Sequence, residues 1–390
     1  MSVIDEVKYS KDDPDEYGVN VNVKKTSKES SRINDQERAE LISKSVKVSE
    51  ELFPPVFFSI DNAIKRLKIN NENINFYIAP DAVANAQCRV TPFSVYVDII
   101  IASRLIELLD KDELSFVIGH ELAHYLYKHY LYPHPNLAFS ELDNINLLHL
   151  SKSAEISADR LGLISCGNVK FALKAMLKTA SGLPSNYINF NFGVYLKQLT
   201  DLKEIKNNIS QLYSTHPSFL NRIQSLIWFS KTDLYTSNFT SNENGVYKKY
   251  EIDEKINQSI IEVIGKEGHR KNTEVYQNLK LWSSLDLFLS DGTFSKKEQE
   301  IFKKEFDEEN LNNARSFLKL GSEELEKKID EHTIQAIALT KSDKEKLMKE
   351  LSMIAGKIES EERILLQKLS KLSSRLGLNQ AITIKKDNII

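Results

Sequence analysis

The first 45 residues are polar and charged with little periodicity, which predicts a flexible tail that turns helical near Asp35–Val48. From Glu50 to Lys68 apolar positions recur at helical spacing. Two short runs, Asn75–Ala79 and Ser94–Ala102, are rich in β-branched and aromatic residues and predict strands. A strong helix is predicted from Asp110 to about Tyr130. Asp110 and Glu113 form a capping-box pattern at its start, and Pro133 and Pro135 stop it. Further helices are predicted over Leu142–Ile164, over Val169–Ala180 and from Pro217 to Phe229; Pro217 suits a first helical position. Residues 231–250 are rich in Ser, Thr, Asn and Gly, as a linker is. Beyond them the pattern is helical and highly charged as far as Leu378.

These elements predict an α+β architecture. A flexible tail (1–45) precedes a mainly helical domain with a small β-sheet (46–230). A linker (231–265) then leads to an all-α domain (266–382). A chain of 390 residues is long for one core, which agrees with two domains. Apolar residues at 41% and charged residues at 27% suffice for ordinary globular cores. The net charge of −3 supplies no global basic field for nucleic acid. The two cysteines, Cys88 and Cys166, cannot form a disulfide framework or a CxxC metal pair, and are expected as reduced, partly buried thiols. The N-terminus lacks the basic and apolar regions of a signal peptide. No window approaches the ~18 apolar residues of a membrane span. The most apolar stretch, Val95–Leu109, is broken by Asp98, Arg104 and Glu107. A cytoplasmic location, free or peripheral to a membrane, is the resulting expectation.

The chemistry concentrates in Gly119-His120-Glu121-Leu122-Ala123-His124. Residues four apart share a helix face, so His120 and His124 can reach one ion. Glu121, rotated by about 100°, can face a water beside that ion and act as general base. With eight histidines, chance alone would place HExxH in roughly one such chain in a hundred. A catalytic zinc also needs a third ligand and an open position. His129 would lie about 140° round the helix from His124 and is expected at the surface. His134, in a Pro-rich turn, is expected there as well. His124 is followed by Tyr-Leu-Tyr-Lys-His, so the pattern with a third His six residues on fails. Glu155, on the next predicted helix within Glu155-Ile156-Ser157-Ala158-Asp159, is the remaining candidate. Asp159, one turn further on the same face, is placed to accept the other ring N–H of a ligating histidine. The small residues Ala154, Ser157, Ala158 and Gly162 permit close helix approach.

HELAH, then ExxAD, then THPS with an Arg six residues after its His together resemble the M48 family of zinc metallopeptidases over about residues 50–230. That resemblance implies a zincin-type (gluzincin) domain and a metalloendopeptidase of the EC 3.4.24 class acting on protein or peptide substrates. One Zn2+ ion would be held by His120, His124 and Glu155, with Glu121 as base and Asp159 in support. His216 and Arg222 match the family's HP segment. His216 would either stabilise the oxyanion or cover the metal as a removable fourth ligand; Arg222 would be either a structural ion pair or a catalytic group. Many members are membrane-anchored, and this sequence shows no span. Ala84–Cys88 loosely resembles a segment that precedes the metal helix, and with the following strand is expected to line the cleft as an edge for an extended peptide.

In the C-terminal half, Gly292, Phe294, Glu298 and Ile301 recur about 64 residues on as Gly356, Ile358, Glu362 and Leu365. The two hairpins so outlined resemble a TerB-like helical domain over about residues 270–380, which implies regulation or the docking of a protein partner. Asp291 lacks the further carboxylates an EF-hand needs. The competing reading is a non-catalytic or latent zinc-containing adaptor. An intact Glu121 weighs against it, because a structural site needs no base.

Overall fold

The computed structural model describes residues 3–19, 21, 28–90, 96–138, 141–204, 217–240, 245–320, 322–337, 339–378 and 383–384. The chain is α+β and mainly helical. It divides into two compact units: the first comprises residues 1–13, 21–135 and 148–265, and the second residues 14–20, 136–147 and 266–390.

The helices in chain order are α1 (Val3–Val7), α2 (Lys28–Lys44), α3 (Pro54–Leu67), α4 (Ser103–Leu108), α5 (Lys111–Leu126), α6 (Glu141–Cys166), α7 (Val169–Ser181), α8 (Phe192–Leu196), α9 (Gln198–Glu204), α10 (Phe219–Phe229), α11 (Asp233–Phe239), α12 (Lys249–Phe288), α13 (Lys296–Phe317), α14 (Ser322–Ala336), α15 (Lys341–Ala355) and α16 (Glu362–Arg375). The strands are β1 (Val46–Lys47), β2 (Ile74–Ala79), β3 (Ala86–Val90) and β4 (Val97–Ala102).

The first unit holds the sheet, in the order β1-β2-β4-β3. β4 runs parallel to β2, with Phe76 opposite Ile99, and antiparallel to β3, with Cys88 opposite Ile99. All six residues of β4 are buried. A strand covered on both faces reads as an unbroken apolar run, which is why its sequence does not alternate. Its one charge, Asp98, accepts a hydrogen bond from Asn75 Nδ2 at 3.0 Å. β3 is the last strand of the sheet and pairs with β4 alone among the described residues. Against the sheet pack α3, whose buried Val56, Ile60, Ala63, Ile64 and Leu67 form one stripe, and α5.

Capping sets where α5 begins. Asp110 and Glu113 form the predicted capping box. Glu113 also receives Lys178 Nζ of α7 at 2.6 Å, with both side chains 1% exposed. The α10 helix begins two residues later than predicted, because Ser218 caps it by accepting from Asn221 N.

The N-terminal segment differs from the expected flexible tail. Val7, Tyr9 and Asp12 are essentially fully buried. Its backbone is held by side chains from elsewhere in the unit: Ser157 Oγ accepts from Tyr9 N, Arg160 Nη1 donates to Val7 O, and Tyr127 OH donates to Ile4 O. Polar composition suggested disorder, but hydrogen bonds to distant residues supply what local periodicity does not. The stretch expected as a linker, 231–265, likewise carries α11 and the start of α12. Buried Asp253 there pairs with Arg160 at 2.6 Å.

The second unit is helical throughout its described residues. Its core includes Phe288, Phe302, Leu347, Leu351, Leu365 and Leu369. Phe302 meets Phe288 and Phe294 edge-on, with ring centroids 5.7 Å apart in each pair. The two glycines aligned by the repeat differ in backbone. Gly292 lies in the left-handed region at φ +84°, whereas Gly356 is right-handed at φ −64°. Ser295 and Glu298 make a capping box for α13, and α16 has no side-chain cap. The Asp291 carboxylate accepts from Thr293 N and Oγ1, an Asx turn rather than a calcium loop.

Candidate metal centre

The α5 and α6 helices approach closely because glycine stands at their contact. A Cβ at Gly119 would lie 1.7 Å from Ser165 Oγ, and one at Gly162 would lie 2.7 Å from the Phe116 carbonyl oxygen. This approach brings Glu155 of α6 to His120 and His124 of α5, which is what the small residues around Glu155 suggested.

His120 Nε2 and His124 Nε2 are 3.2 Å apart, and each lies 3.5 Å from a Glu155 carboxylate oxygen. Two donors about 2.05 Å from one ion at tetrahedral angles would be separated by about 3.3 Å. The two imidazole nitrogens therefore have the spacing of donors to one tetrahedral ion, and the Glu155 carboxylate faces both, Oε2 toward His120 and Oε1 toward His124. Among the described residues this trio could hold a metal.

The three donors have different electrostatic surroundings. Burial pushes His124 down to about 3, so it is a neutral imidazole with a lone pair to give. Burial also opposes charge on His120, but its hydrogen bond to Asp159 and the charge of Glu155 outweigh it and the net shift is upward. Asp159 Oδ1 lies 3.0 Å from His120 Nδ1. Arg222 grips Asp159 with two hydrogen bonds, Nε to Oδ2 at 2.8 Å and Nη2 to Oδ1 at 2.6 Å. Its Nη1 lies 3.2 Å from Glu155 Oε2. Burial would raise Asp159, yet the charge and hydrogen bonds of Arg222, joined by His120, hold its carboxyl below the usual range. Arg222 thus sits on the carboxylates behind the trio.

Glu121 is buried beside the trio, and burial raises its carboxyl to about 7. The nearby His120 charge and a hydrogen bond from the Cys88 backbone amide pull the other way without cancelling this. The edge strand β3 therefore touches the residue expected as the base. A cleft of 610 Å³ opens at this point, lined by His120, Glu121, His124, Glu155 and Arg222 together with Ala84–Cys88. Ala84–Cys88 was expected to line such a cleft. Ser94, Val95 and His216 lie outside the described residues; Pro217, next to His216, lines the cleft.

His129 corrects the expectation of a surface histidine. It is buried, and its Nδ1 lies 2.9 Å from His124 Nδ1. The helical projection fails because α5 ends at Leu126 and Lys128 adopts a left-handed conformation at φ 59°, which turns His129 back under the helix. Lys128 is not glycine, so no sequence signal marked that reversal. His134 is exposed, as expected. Cys88 and Cys166 are free thiols, half-buried and buried.

The sequence model of peptidase family M48 matches residues 59–134 and 134–227, which takes in every residue of the trio. Residues 59–227 are thus similar to peptidase family M48. A plastoglobule-localized metallopeptidase 48 of the chloroplast, from Arabidopsis thaliana, is 28% identical over 148 residues, covering 33% of this chain and 42% of the relative. The chain thus matches less than half the length of that relative. No solved structure matches it. No described helix is long and apolar enough to cross a membrane.

Proposed function

We propose that the M48 domain is a zinc-dependent endopeptidase acting on protein or peptide substrates. The observation that carries this reading is the convergence of His120 Nε2, His124 Nε2 and a Glu155 oxygen within 4.8 Å of one another, with buried Glu121 alongside in the same cleft. A zinc ion held by those three side chains would acidify a water molecule and polarise the scissile carbonyl. Glu121, with a proton affinity near neutrality, takes a proton from water and returns it to the leaving amine. Asp159 orients His120, and Arg222 holds Asp159 and Glu155 in place. The outer edge of β3, which no strand pairs with among the described residues, would offer backbone donors and acceptors other than the Cys88 amide to an extended peptide beside Glu121. His216 has the two roles set out above, oxyanion stabiliser or removable cover.

The second unit is assigned to regulation or partner docking, and the location is taken as cytoplasmic. The test is cleavage of an unfolded protein with zinc content measured in parallel, for wild type and Glu121→Gln. Zinc binding by both proteins with cleavage by wild type alone is the expected result. Equal cleavage by both would remove Glu121 as the base, and no bound zinc in wild type would remove the metal reading.

A further inference from the structure

The two histidines of the trio are backed differently. His120 leans directly on a carboxylate, Asp159. Behind His124, the partner of Nδ1 among the described residues is another imidazole, His129. His129 in turn presents Nε2 to Asp12 Oδ2 at 2.8 Å. Asp12 is 1% exposed and also accepts from Tyr132 OH at 2.9 Å, with Lys8 Nζ 3.7 Å away. Asp12 belongs to the N-terminal segment, more than a hundred residues before the trio.

We infer that Asp12 and His129 are positioning residues of the metal centre, which lock His124 in the tautomer that leaves Nε2 free to bind the ion. This role follows from the matching of donors and acceptors along the chain of hydrogen bonds and rests on the reading of His124 as a ligand. An ionised carboxylate only accepts, so the His129 Nε2 facing Asp12 carries a proton. With His124 Nε2 given to the ion, the one proton of the His124 ring stands on Nδ1, and the His129 Nδ1 that it faces is the acceptor. The His124 Nδ1, 2.9 Å away, donates to it, and the chain of hydrogen bonds runs from His124 through His129 to Asp12. His124 consequently carries its proton on Nδ1, and its Nε2 lone pair points toward His120 Nε2 and Glu155. One carboxylate thus determines the tautomer of a ring two hydrogen bonds away. Rings at fixed angles transmit it: His124 and His129 meet nearly edge-on at 70°, and His129 packs against Tyr127 and Tyr132. The hydrogen bonds of Ser157, Arg160 and Tyr127 to residues 4–9 hold the segment that delivers Asp12. The N-terminal segment is therefore a part of the metal centre.

The test uses the full chain with Asp12→Ala, which removes the acceptor, Asp12→Asn, which retains a carbonyl oxygen, and His129→Phe, which keeps the ring. Zinc affinity is measured by competition with a chromophoric chelator. The His124 tautomer is read from its ¹⁵N shifts in the metal-free protein. Asp12→Ala and His129→Phe should weaken zinc binding about 10–100-fold, the usual cost of losing a partner behind a ligating histidine. Asp12→Asn should stay within a few-fold of wild type. Metal-free wild type should show His124 protonated on Nδ1, and Asp12→Ala a mixture of tautomers. A merely structural role would lower the melting temperature and leave both readouts unchanged in the folded protein, which would overturn the inference. If Asp12→Ala does not fold, His129→Phe decides alone. Failure of wild type to bind zinc would refute the metal reading, and the tautomer measurement would still decide the relay.

Discussion

The buried carboxylic acid of Glu121 makes a stability prediction that does not depend on catalysis. Burial raises its pKa from 4.5 to about 7 in the folded, metal-free chain. Between those values the unfolded chain has released this proton and the folded chain still holds it. Stability therefore falls as pH rises through the window from about 4.5 to 7, and the penalty is complete above 7. At about 1.4 kcal/mol per decade of proton affinity, the full penalty is about 3 kcal/mol. Glu121→Gln fills the same space with a group that never ionises. Relative to wild type it should be stabilised by about 2.5 kcal/mol more at pH 8 than at pH 5, where the unfolded glutamate is already partly ionised. The assay is urea unfolding in the presence of a chelator. A Trp282→Phe background leaves Trp228, in the first unit, as the only tryptophan reporter. A variant effect equal at the two pH values would refute the reasoning. Added zinc should shrink the pH dependence, because a nearby cation favours the carboxylate.

Arg222→Met leaves Asp159 and Glu155 as buried carboxylates without their cation. It should cost the metal-free protein about 3–5 kcal/mol in urea unfolding, whereas replacing a solvent-exposed ion pair would cost under about 1. Gly119→Ala forces a Cβ into Ser165, which is tied to the Ser115 and Gly162 carbonyl oxygens. Overpacking of about 1–3 kcal/mol should appear in thermal unfolding together with weakened zinc binding, since the same contact positions Glu155. Zinc at a hundredfold excess over its Kd should stabilise the chain by about 2.7 kcal/mol, and a chelator should reverse this; a melting temperature indifferent to zinc would contradict the assignment of the trio.

Local patterns of the sequence determined a good part of this protein. The Asp110–Glu113 box marked the start of α5, and helical spacing placed His120 and His124 on one face. The run of small residues around Glu155 signalled a helix that could come close, and the order of motifs pointed to the M48 family. These features were legible because each is encoded within one or two helical turns. Other features needed the tertiary structure. The chain reversal at Lys128 carries no glycine to announce it, and it turned His129 from an expected surface residue into the partner of His124. Asp12 lies in a segment whose composition suggested disorder, and that segment is held where Ser157, Arg160 and Tyr127 satisfy the backbone of Tyr9, Val7 and Ile4. The raised proton affinity of Glu121 depends on burial against an edge strand some thirty residues earlier in the chain. Hydrophobic period and capping are local properties and can be read in order along the chain. Desolvation and hydrogen bonds between distant segments exist only once the chain has closed on itself.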